Sequence, residues 1–346
     1  MKILSLIIIS VFLFSFGLGT LAQETELPDP GVTPDSPFYF FERIFEGIGT
    51  FFTFGDLNKA ARYVALASER MAEAKVMADR EKPEAAQNAL ARYESQLNQS
   101  LSRAERAKNR GEKIEEVTEK VAEATTKHLS VLDEVLEKVP EEAKEGILKA
   151  KQTSMEGHKN ALRGLAGENP EKAAEIGLRA AGARLDRAKV KAEEGEVEAA
   201  EEAVNEFKEL RQFGEEISQI AQGLGKDTTT VEQLVGKATS IHLKVLAEVY
   251  EKVPEQAKPA IEKAMEVSAK GHQEAVKALK EKGALDEVPE EIPMSEKVPP
   301  EVKERVEREA REEIEKEEAE MEKPEVEKPE VEKPEVETPG PGRPMR

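Results

Sequence analysis

The chain contains no cysteine and no tryptophan, and only four of its 346 residues are histidine. The absence of cysteine excludes disulfide bridges, thiolate metal sites and a lipid attached to cysteine. Glycine-rich phosphate-binding loops, the HExxH pattern of zinc proteases and the GxSxG pattern of serine hydrolases are also missing. We therefore expect a protein that is not an enzyme, that needs no cofactor and whose stability comes from packing alone.

The charge is strongly acidic, with 71 Asp and Glu against 51 Lys and Arg and a formal net charge of −20. Such a surface repels nucleic acid and anionic lipid headgroups. Glu, Lys and Ala dominate the chain, while Gly and Pro fall mainly at breaks, a composition that is typical of long helices. The sequence predicts an all-α protein that does not bind nucleic acid.

Residues 1–22 have the pattern of a secretory signal peptide. Lys2 is followed by an apolar run over residues 3–21, and the small residues Thr20 and Ala22 precede a suitable cleavage point. The run is nearly as long as the about 20 apolar residues that cross a bilayer, so an uncleaved signal anchor stays an alternative. Either form predicts an exported protein, extracellular or associated with the cell envelope.

A long internal repeat follows. The segment HLSVLDEVLEKVP, which begins at His128, recurs 114 residues later as HLKVLAEVYEKVP from His242. The same offset aligns RMAEAKVMADREKPEAAQNAL with RLDRAKVKAEEGEVEAAEEAV without a gap. An uninterrupted register over about 200 residues indicates an internal duplication. We place repeat 1 at residues 56–166 and repeat 2 at residues 170–282.

Each repeat is predicted to contain four helices. Their predicted ranges are 56–80, 83–109, 112–139 and 140–165 in repeat 1, and 170–194, 196–224, 228–253 and 254–282 in repeat 2. The short breaks between them make consecutive helices antiparallel, so we expect each repeat to be an up-and-down bundle. Asp56 and Thr228 are predicted to cap helix N-termini, because their side-chain oxygens can accept bonds from free N–H groups.

The histidines all fall on the apolar stripes of these predicted helices. The four are His128 and His158 in repeat 1, and His242 and His272 in repeat 2. One interpretation is a buried imidazole held by a hydrogen bond, for instance to Thr125 or Thr239 three residues before it, or to Ser154 or Ser268 four residues before it.

The alternative for the histidines is a metal site, because imidazole is a common ligand. If Pro140 is the turn of one hairpin, His128 and His158 are offset by about 9 Å along the helix axes, too far for one shared zinc ion. We therefore predict a buried polar network, with no assigned metal site. Metal binding through the four histidines stays the alternative.

Residues 23–55 form a proline-rich and aromatic segment, which holds seven of the chain's 12 phenylalanines. Phe38, Phe41, Phe45 and Phe52 lie on one helical stripe. Such a helix is either buried against the bundle or placed at a membrane surface. Because the segment lacks the basic flank of interfacial helices, we predict burial, and membrane contact through these four phenylalanines or the signal anchor is the alternative.

Several sequence elements resemble the opening of a family of exported prokaryotic proteins. They are LPDPG, then PDSPFYFF, a Glu on the following helix, and FTF. That family is classed only as a domain of unknown function. The likeness covers about residues 27–110. The resemblance implies a secreted or membrane-anchored helical protein and brings no catalytic residues.

The C-terminal part changes character. Residues 283–300 are predicted to be a proline-broken linker, and residues 301–346 a charged helix with little apolar face followed by three copies of EKPEV. A proline in every pentad prevents a helix and favours an extended, solvated spacer. We expect an acidic tail that does not pack.

Taken together, these features predict an exported, non-enzymatic helical interaction or scaffold protein of the cell envelope. Its partner is an unidentified protein or other envelope component. Two further functions stay open: a metal-binding or sequestration protein that uses the repeated histidines, and a peripheral membrane protein attached by the aromatic segment.

Overall fold

The computed structural model describes residues 27–285, 288–296 and 298–321. In these residues the chain forms ten α-helices and a 3₁₀ turn, Glu255–Ala257, and no strand. The helices are α1 Tyr39–Phe51, α2 Asp56–Asp79, α3 Pro83–Asn109, α4 Glu115–Lys138, α5 Glu141–Glu168, α6 Pro170–Glu194, α7 Val197–Gly223, α8 Thr229–Tyr250, α9 Lys258–Glu281 and α10 Pro300–Met321. The predicted all-α repeat fold is confirmed. The predicted signal peptide and the EKPEV tail lie outside the described residues.

The helices of both repeats end where the sequence has its breaks. Pro83 begins α3 and Pro170 begins α6, because proline lacks only an N–H that is unbonded in the first helical turn. Gly111 follows α3 with φ +77°, and Gly225, at the aligned position of repeat 2, follows α7 with φ +69°. Glycine adopts this left-handed conformation at little cost. The duplication has therefore copied this turn together with the helices.

The predicted capping roles of Asp56 and Thr228 are wrong. Asp56 is the first residue of α2, and its carboxylate accepts hydrogen bonds from Arg103 of α3, at 2.7 Å, and from Arg110, the residue after α3. Thr228 precedes α8, but its hydroxyl donates to the Glu232 carboxylate at 2.7 Å and bonds no N–H at the helix end. Bonds that involve a charged partner are stronger than neutral ones, and they take these side chains away from the helix ends.

The four helices of repeat 1 pack as two stacked hairpins. Helix α2 packs against α3, and α4 packs against α5; in addition α2 lies against α4 and α3 against α5. Helices α3 and α4 share few contacts although they are consecutive. This pattern is typical of stacked helical hairpins. It differs from the predicted up-and-down order because short breaks fix the direction of consecutive helices, but not which helices become neighbours.

Small residues let these hairpins approach closely. A Cβ added to Gly157 would lie 2.9 Å from Cδ2 of Leu97, and one added to Gly164 would lie 2.8 Å from Cγ2 of Thr118. Such distances leave no room for a side chain, so larger residues at these positions would separate α5 from α3 and α4. The fully buried aliphatic residues of repeat 1 include Leu97, Val121, Leu132, Ile147, Leu162 and Leu165.

Helix α10 packs against α9. Its residues Val302, Val306 and Ala310 are buried at helical spacing. The expectation that this part of the chain does not pack is therefore wrong for α10. Three small apolar residues one turn apart are enough to pack the helix against α9. Val298, in the segment before α10, is also fully buried.

The described residues group into two compact units. The first contains residues 27–180 and 215–227, and the second contains residues 181–214 and those from 228 onward. These units do not coincide with the sequence repeats, because parts of α6 and α7 group with each of them.

Candidate functional site

The histidines of repeat 1 each link two helices. His128 is 1 % exposed, and its Nε2 lies 3.1 Å from Oγ of Ser68 on α2. Its ring meets Tyr93 of α3 edge-to-face, with 5.1 Å between centroids. His158 is fully buried, and its Nδ1 lies 3.0 Å from Oγ1 of Thr125 on α4. His128 therefore belongs to the packing between the two hairpins, and His158 to the packing of α5 against α4 within one hairpin.

The histidines of repeat 2 occupy aligned positions with altered partners. His242 meets Phe207 edge-to-face at 5.6 Å between centroids. Gly182 stands where repeat 1 has Ser68, so the hydroxyl that contacts His128 has no counterpart here. Nδ1 of His272 lies 3.2 Å from Oγ of Ser240. Burial lowers the pKa of both His128 and His242 to about 3, so these rings are neutral at pH 7.

The predicted partners are therefore partly wrong. Thr125 contacts His158 on the facing helix and not His128 on its own helix. Its hydroxyl also donates to the carbonyl of Val121, four residues earlier, at 2.8 Å. Ser268 donates to the carbonyl of Ala264 at 2.8 Å. Serine and threonine in helices commonly bond back to the preceding turn, which directs their hydroxyls away from a histidine on the same helix.

No group of three or more histidine and carboxylate side chains within the described residues could hold a metal ion. The four histidines, which the sequence offered as metal-ligand candidates, are found in the hydrogen bonds and ring contacts given above. The more distinctive site is at the N-terminus, where the aromatic segment meets repeat 1.

The residues before α1 are fixed by specific hydrogen bonds. Gly31 has φ +63°, and a Cβ there would lie 2.3 Å from Oε1 of Glu42. The N–H of Val32 donates to the same oxygen at 3.1 Å. Lys82, beyond the end of α2, donates to Asp35 at 2.7 Å. The left-handed φ favours glycine at position 31, and a side chain there would have to displace the Glu42 carboxylate.

A cluster of buried charges attaches α1 to repeat 1. The Tyr39 hydroxyl donates to Oε2 of Glu73 at 2.8 Å and accepts from Nη1 of Arg70 at 2.7 Å and from Arg92. Arg70 is 1 % exposed and also pairs with Glu73 and with Glu46 of α1. Burial raises the pKa of Glu73 to about 7, while Arg70 acts in the opposite direction. These five residues are called the Arg70 cluster below.

The other side of α1 is apolar and exposed. Exposed fractions range from 41 % for Ile44 to 75 % for Phe54. The aromatic face, as we name it, consists of Phe38, Phe40, Phe41, Ile44, Phe45, Ile48, Phe51, Phe52 and Phe54. The predicted burial of Phe38, Phe41, Phe45 and Phe52 against the bundle is wrong. The stripe exists, but the opposite side of the helix, with Tyr39 and Glu46, faces repeat 1.

Helix α1 is thus an inverted amphipathic helix. Helices on the surface of soluble proteins typically bury their apolar stripe and expose their charged side. In α1, Tyr39 is the one buried residue of thirteen. A contiguous apolar patch of this kind marks a site of interaction with a protein or a membrane. None of the described helices combines the length and the apolar content needed to cross a bilayer.

Repeat 2 carries a variant of the Arg70 cluster. Arg184 aligns with Arg70, is 2 % exposed and lies 3.3 Å from the carboxylate of Glu206. Glu206 aligns with Arg92, and Arg187 aligns with Glu73, so the charges at these two positions are exchanged. Sequence reasoning missed both clusters. The available signal was an arginine at the same inward position of both copies, within an alanine-rich stripe.

Residues 31–142 match the model of a domain of unknown function, DUF5667. The match runs from the lead-in of α1 to just beyond α4, and it includes the aromatic face and the Arg70 cluster. It agrees with the resemblance to a family of unknown function seen in the sequence. No curated protein matches the chain in sequence.

Solved structures that are similar to this chain include two repeat proteins. One is described as a circular tandem repeat protein with novel repeat topology and enhanced subunit contact surfaces; it has a TM-score of 0.49 and 14 % identity over 81 % of this chain and 64 % of that chain. The other is a de novo designed helical repeat protein, with a TM-score of 0.40 and 22 % identity over 65 % of this chain and 98 % of that chain. This chain thus spans less than two thirds of the first.

Proposed function

We propose that this protein is an exported, non-enzymatic helical scaffold that attaches to the surface of a lipid bilayer through the aromatic face of α1. The observation that carries the proposal is the orientation of α1. Its charged side is fixed to repeat 1, while nine phenylalanine and isoleucine side chains in and beside it are exposed. Apolar surface gains about 25 cal/mol for each Å² removed from water, so this face gains stability only when a partner covers it.

A lipid surface suits the aromatic face better than a protein groove does. Non-obligate protein interfaces are about as polar as the rest of the surface, whereas the large apolar side chains exposed on this face are nine phenylalanines and isoleucines. The apolar run at residues 3–21, predicted as a signal peptide or anchor, is separated from Phe38 by 16 residues. A linker of that length reaches at most about 55 Å, so a retained anchor keeps α1 beside the membrane.

The missing basic flank does not argue against lipid binding. Interfacial helices carry Lys and Arg on their polar face because that face meets the headgroups. In α1 the polar face meets the Arg70 cluster instead. With a net charge of −20, we expect attachment by apolar insertion into zwitterionic lipid, without a preference for anionic lipid.

The repeats support the scaffold part of the proposal. Some buried polar side chains in repeat 1 contact one another, as in the ion pair of Lys151 with Asp133 and the contact of His158 with Thr125. Stacked helical hairpins offer extended side surfaces, which repeat proteins use to bind partners. In this proposal the repeats carry no reaction and supply contacts to another component of the cell envelope.

Vesicle flotation tests the proposal with the chain that lacks residues 1–22, on phosphatidylcholine vesicles with and without phosphatidylglycerol. Wild type is compared with Phe41→Ser/Phe45→Ser, and the matched control is Leu148→Ser/Leu224→Ser, which removes exposed leucines outside the aromatic face. Each phenylalanine is expected to contribute about 1.5 kcal/mol to the free energy of membrane binding. Each substitution therefore lowers partitioning of the protein into vesicles about tenfold. We expect the control to float like wild type.

Failure of the wild type to float, or equal flotation of the aromatic variant, overturns the proposal. Sedimentation velocity without vesicles identifies the competing occupant, which is a second copy of the chain. A wild-type dimer that becomes a monomer in the aromatic variant, together with absent flotation, assigns the face to self-association and not to lipid.

A further inference from the structure

Surface helices usually bury their apolar side, and α1 has one wide enough to do so. We infer that Arg70, with Glu73 and Tyr39, is the positioning group that keeps the aromatic face of α1 turned outward. This inference deepens the proposed membrane attachment and rests on it for its purpose. The geometry itself can be tested without lipid.

The surface of repeat 1 beneath α1 favours polar contacts. Arg70 and Glu73 are almost completely buried, and α1 supplies the Tyr39 hydroxyl and the Glu46 carboxylate to them. If α1 rolled to bury its phenylalanines, Arg70 would lose the Tyr39 hydroxyl and the Glu46 carboxylate and keep Glu73 of its own helix. Removing hydrogen-bond partners from a buried charge is unfavourable, and this cost opposes the gain from apolar burial.

Comparison with repeat 2 shows which hydrogen-bond partners of Arg70 come from α1. Arg184, at the aligned position, pairs with Glu206 from α7 of its own repeat. In repeat 1 the residue aligned with Glu206 is Arg92, which cannot accept a hydrogen bond. Arg70 and Arg92 therefore both donate to Tyr39 of α1. In repeat 1 Glu73 supplies a carboxylate to Arg70, and α1 adds the Tyr39 hydroxyl for both arginines and the Glu46 carboxylate for Arg70.

A second contact fixes the same orientation from the lead-in. Oε1 of Glu42, on the charged side of α1, accepts the N–H of Val32 at 3.1 Å. Gly31 makes this approach possible because it has no side chain. Rolling α1 would break this bond together with those to Arg70. The two contacts lie on the same side of the helix and act in the same direction.

Thiol labelling tests the inference cleanly, because the chain has no cysteine. Single cysteines are placed at Phe45, which is 69 % exposed, and at Thr50, which is part-buried on the charged side. Each is combined with Arg70→Met/Glu73→Leu, which removes both buried charges. The ratio of the two labelling rates, position 45 over position 50, reports which side of α1 faces water.

Two further backgrounds make the result specific. Tyr39→Phe removes only the hydroxyl and preserves the shape of the ring, so it serves if the double variant fails to fold. Arg184→Met/Glu206→Leu removes the aligned ion pair of repeat 2 and is the matched control. Circular dichroism establishes that each variant retains its helices.

We expect the labelling ratio to exceed one in the wild type and in the repeat 2 control. It should fall about tenfold in Arg70→Met/Glu73→Leu, which corresponds to about 1.4 kcal/mol, and fall in the same direction in Tyr39→Phe. An unchanged ratio in both folded variants overturns the role of Arg70. Because no vesicle is present, that failure is distinct from failure of the wild type to bind lipid.

Discussion

Nζ of Lys151 lies 2.7 Å from Oδ1 of Asp133 inside repeat 1, and both side chains are almost completely buried. At the aligned positions repeat 2 has Met265 and Ala247, which are also fully buried. The same hairpin position therefore holds an ion pair in one copy and an apolar pair in the other. A buried ion pair often stabilises no better than apolar residues that fill its space, because both charges lose their hydration.

We expect Lys151→Met/Asp133→Ala to unfold in urea within about 1 kcal/mol of the wild type. Lys151→Met alone should lower the free energy of unfolding by about 3 kcal/mol or more, because it leaves a buried carboxylate without its cation. A double variant as unstable as the single one contradicts this prediction and makes the ion pair a requirement of the fold.

A second prediction compares two phenylalanines. Phe45 is 69 % exposed on α1, whereas Phe207 is fully buried against His242. Phe45→Ala should change the free energy of unfolding by less than about 0.5 kcal/mol, and Phe207→Ala should lower it by about 3 to 5 kcal/mol. Urea denaturation without lipid measures both. A loss of about 3 kcal/mol from Phe45→Ala indicates instead that the aromatic face packs inward in solution.

Much of the fold is predictable because helix ends depend on local chemistry. Pro83 and Pro170 begin helices as their missing N–H dictates, and the break at Gly111 is repeated at Gly225. The spacing of apolar residues likewise identified the stripe on α1. The spacing does not indicate whether this stripe faces repeat 1 or the solvent.

That choice depends on residues distant in sequence. Tyr39 and Glu46 meet Arg70 across 31 and 24 residues, and nothing local to α1 reports this contact. The stacking of α2 on α4 is missed for the same reason, because it follows from the matching of whole helix surfaces. The contact of Thr125 with His158, which lie on facing helices, is a third example.

The last prediction concerns the docking of α10. Glu266 of α9 shares a hydrogen bond with Glu309 of α10, and burial raises the pKa of Glu266 from 4.5 to about 7. Two carboxyl groups bond in this way only when one is protonated. Between about pH 4.5 and 7 the folded protein holds a proton that the unfolded chain has lost. The stability from this group is therefore complete below pH 4.5 and is lost as the pH rises through 7.

Replacing Glu309 by Gln keeps a hydrogen-bond donor for Glu266 and removes one negative charge. We expect Glu309→Gln to melt at a higher temperature than the wild type at pH 8, and the difference to shrink at pH 5, where the shared proton is present. Glu313→Gln, on the same helix but paired with Lys208 at 3.7 Å, is the matched control and should show no such dependence. An equal difference between Glu309→Gln and wild type at both pH values contradicts a shared proton at this contact. Melting curves followed by circular dichroism at pH 5, 6, 7 and 8 decide between these outcomes.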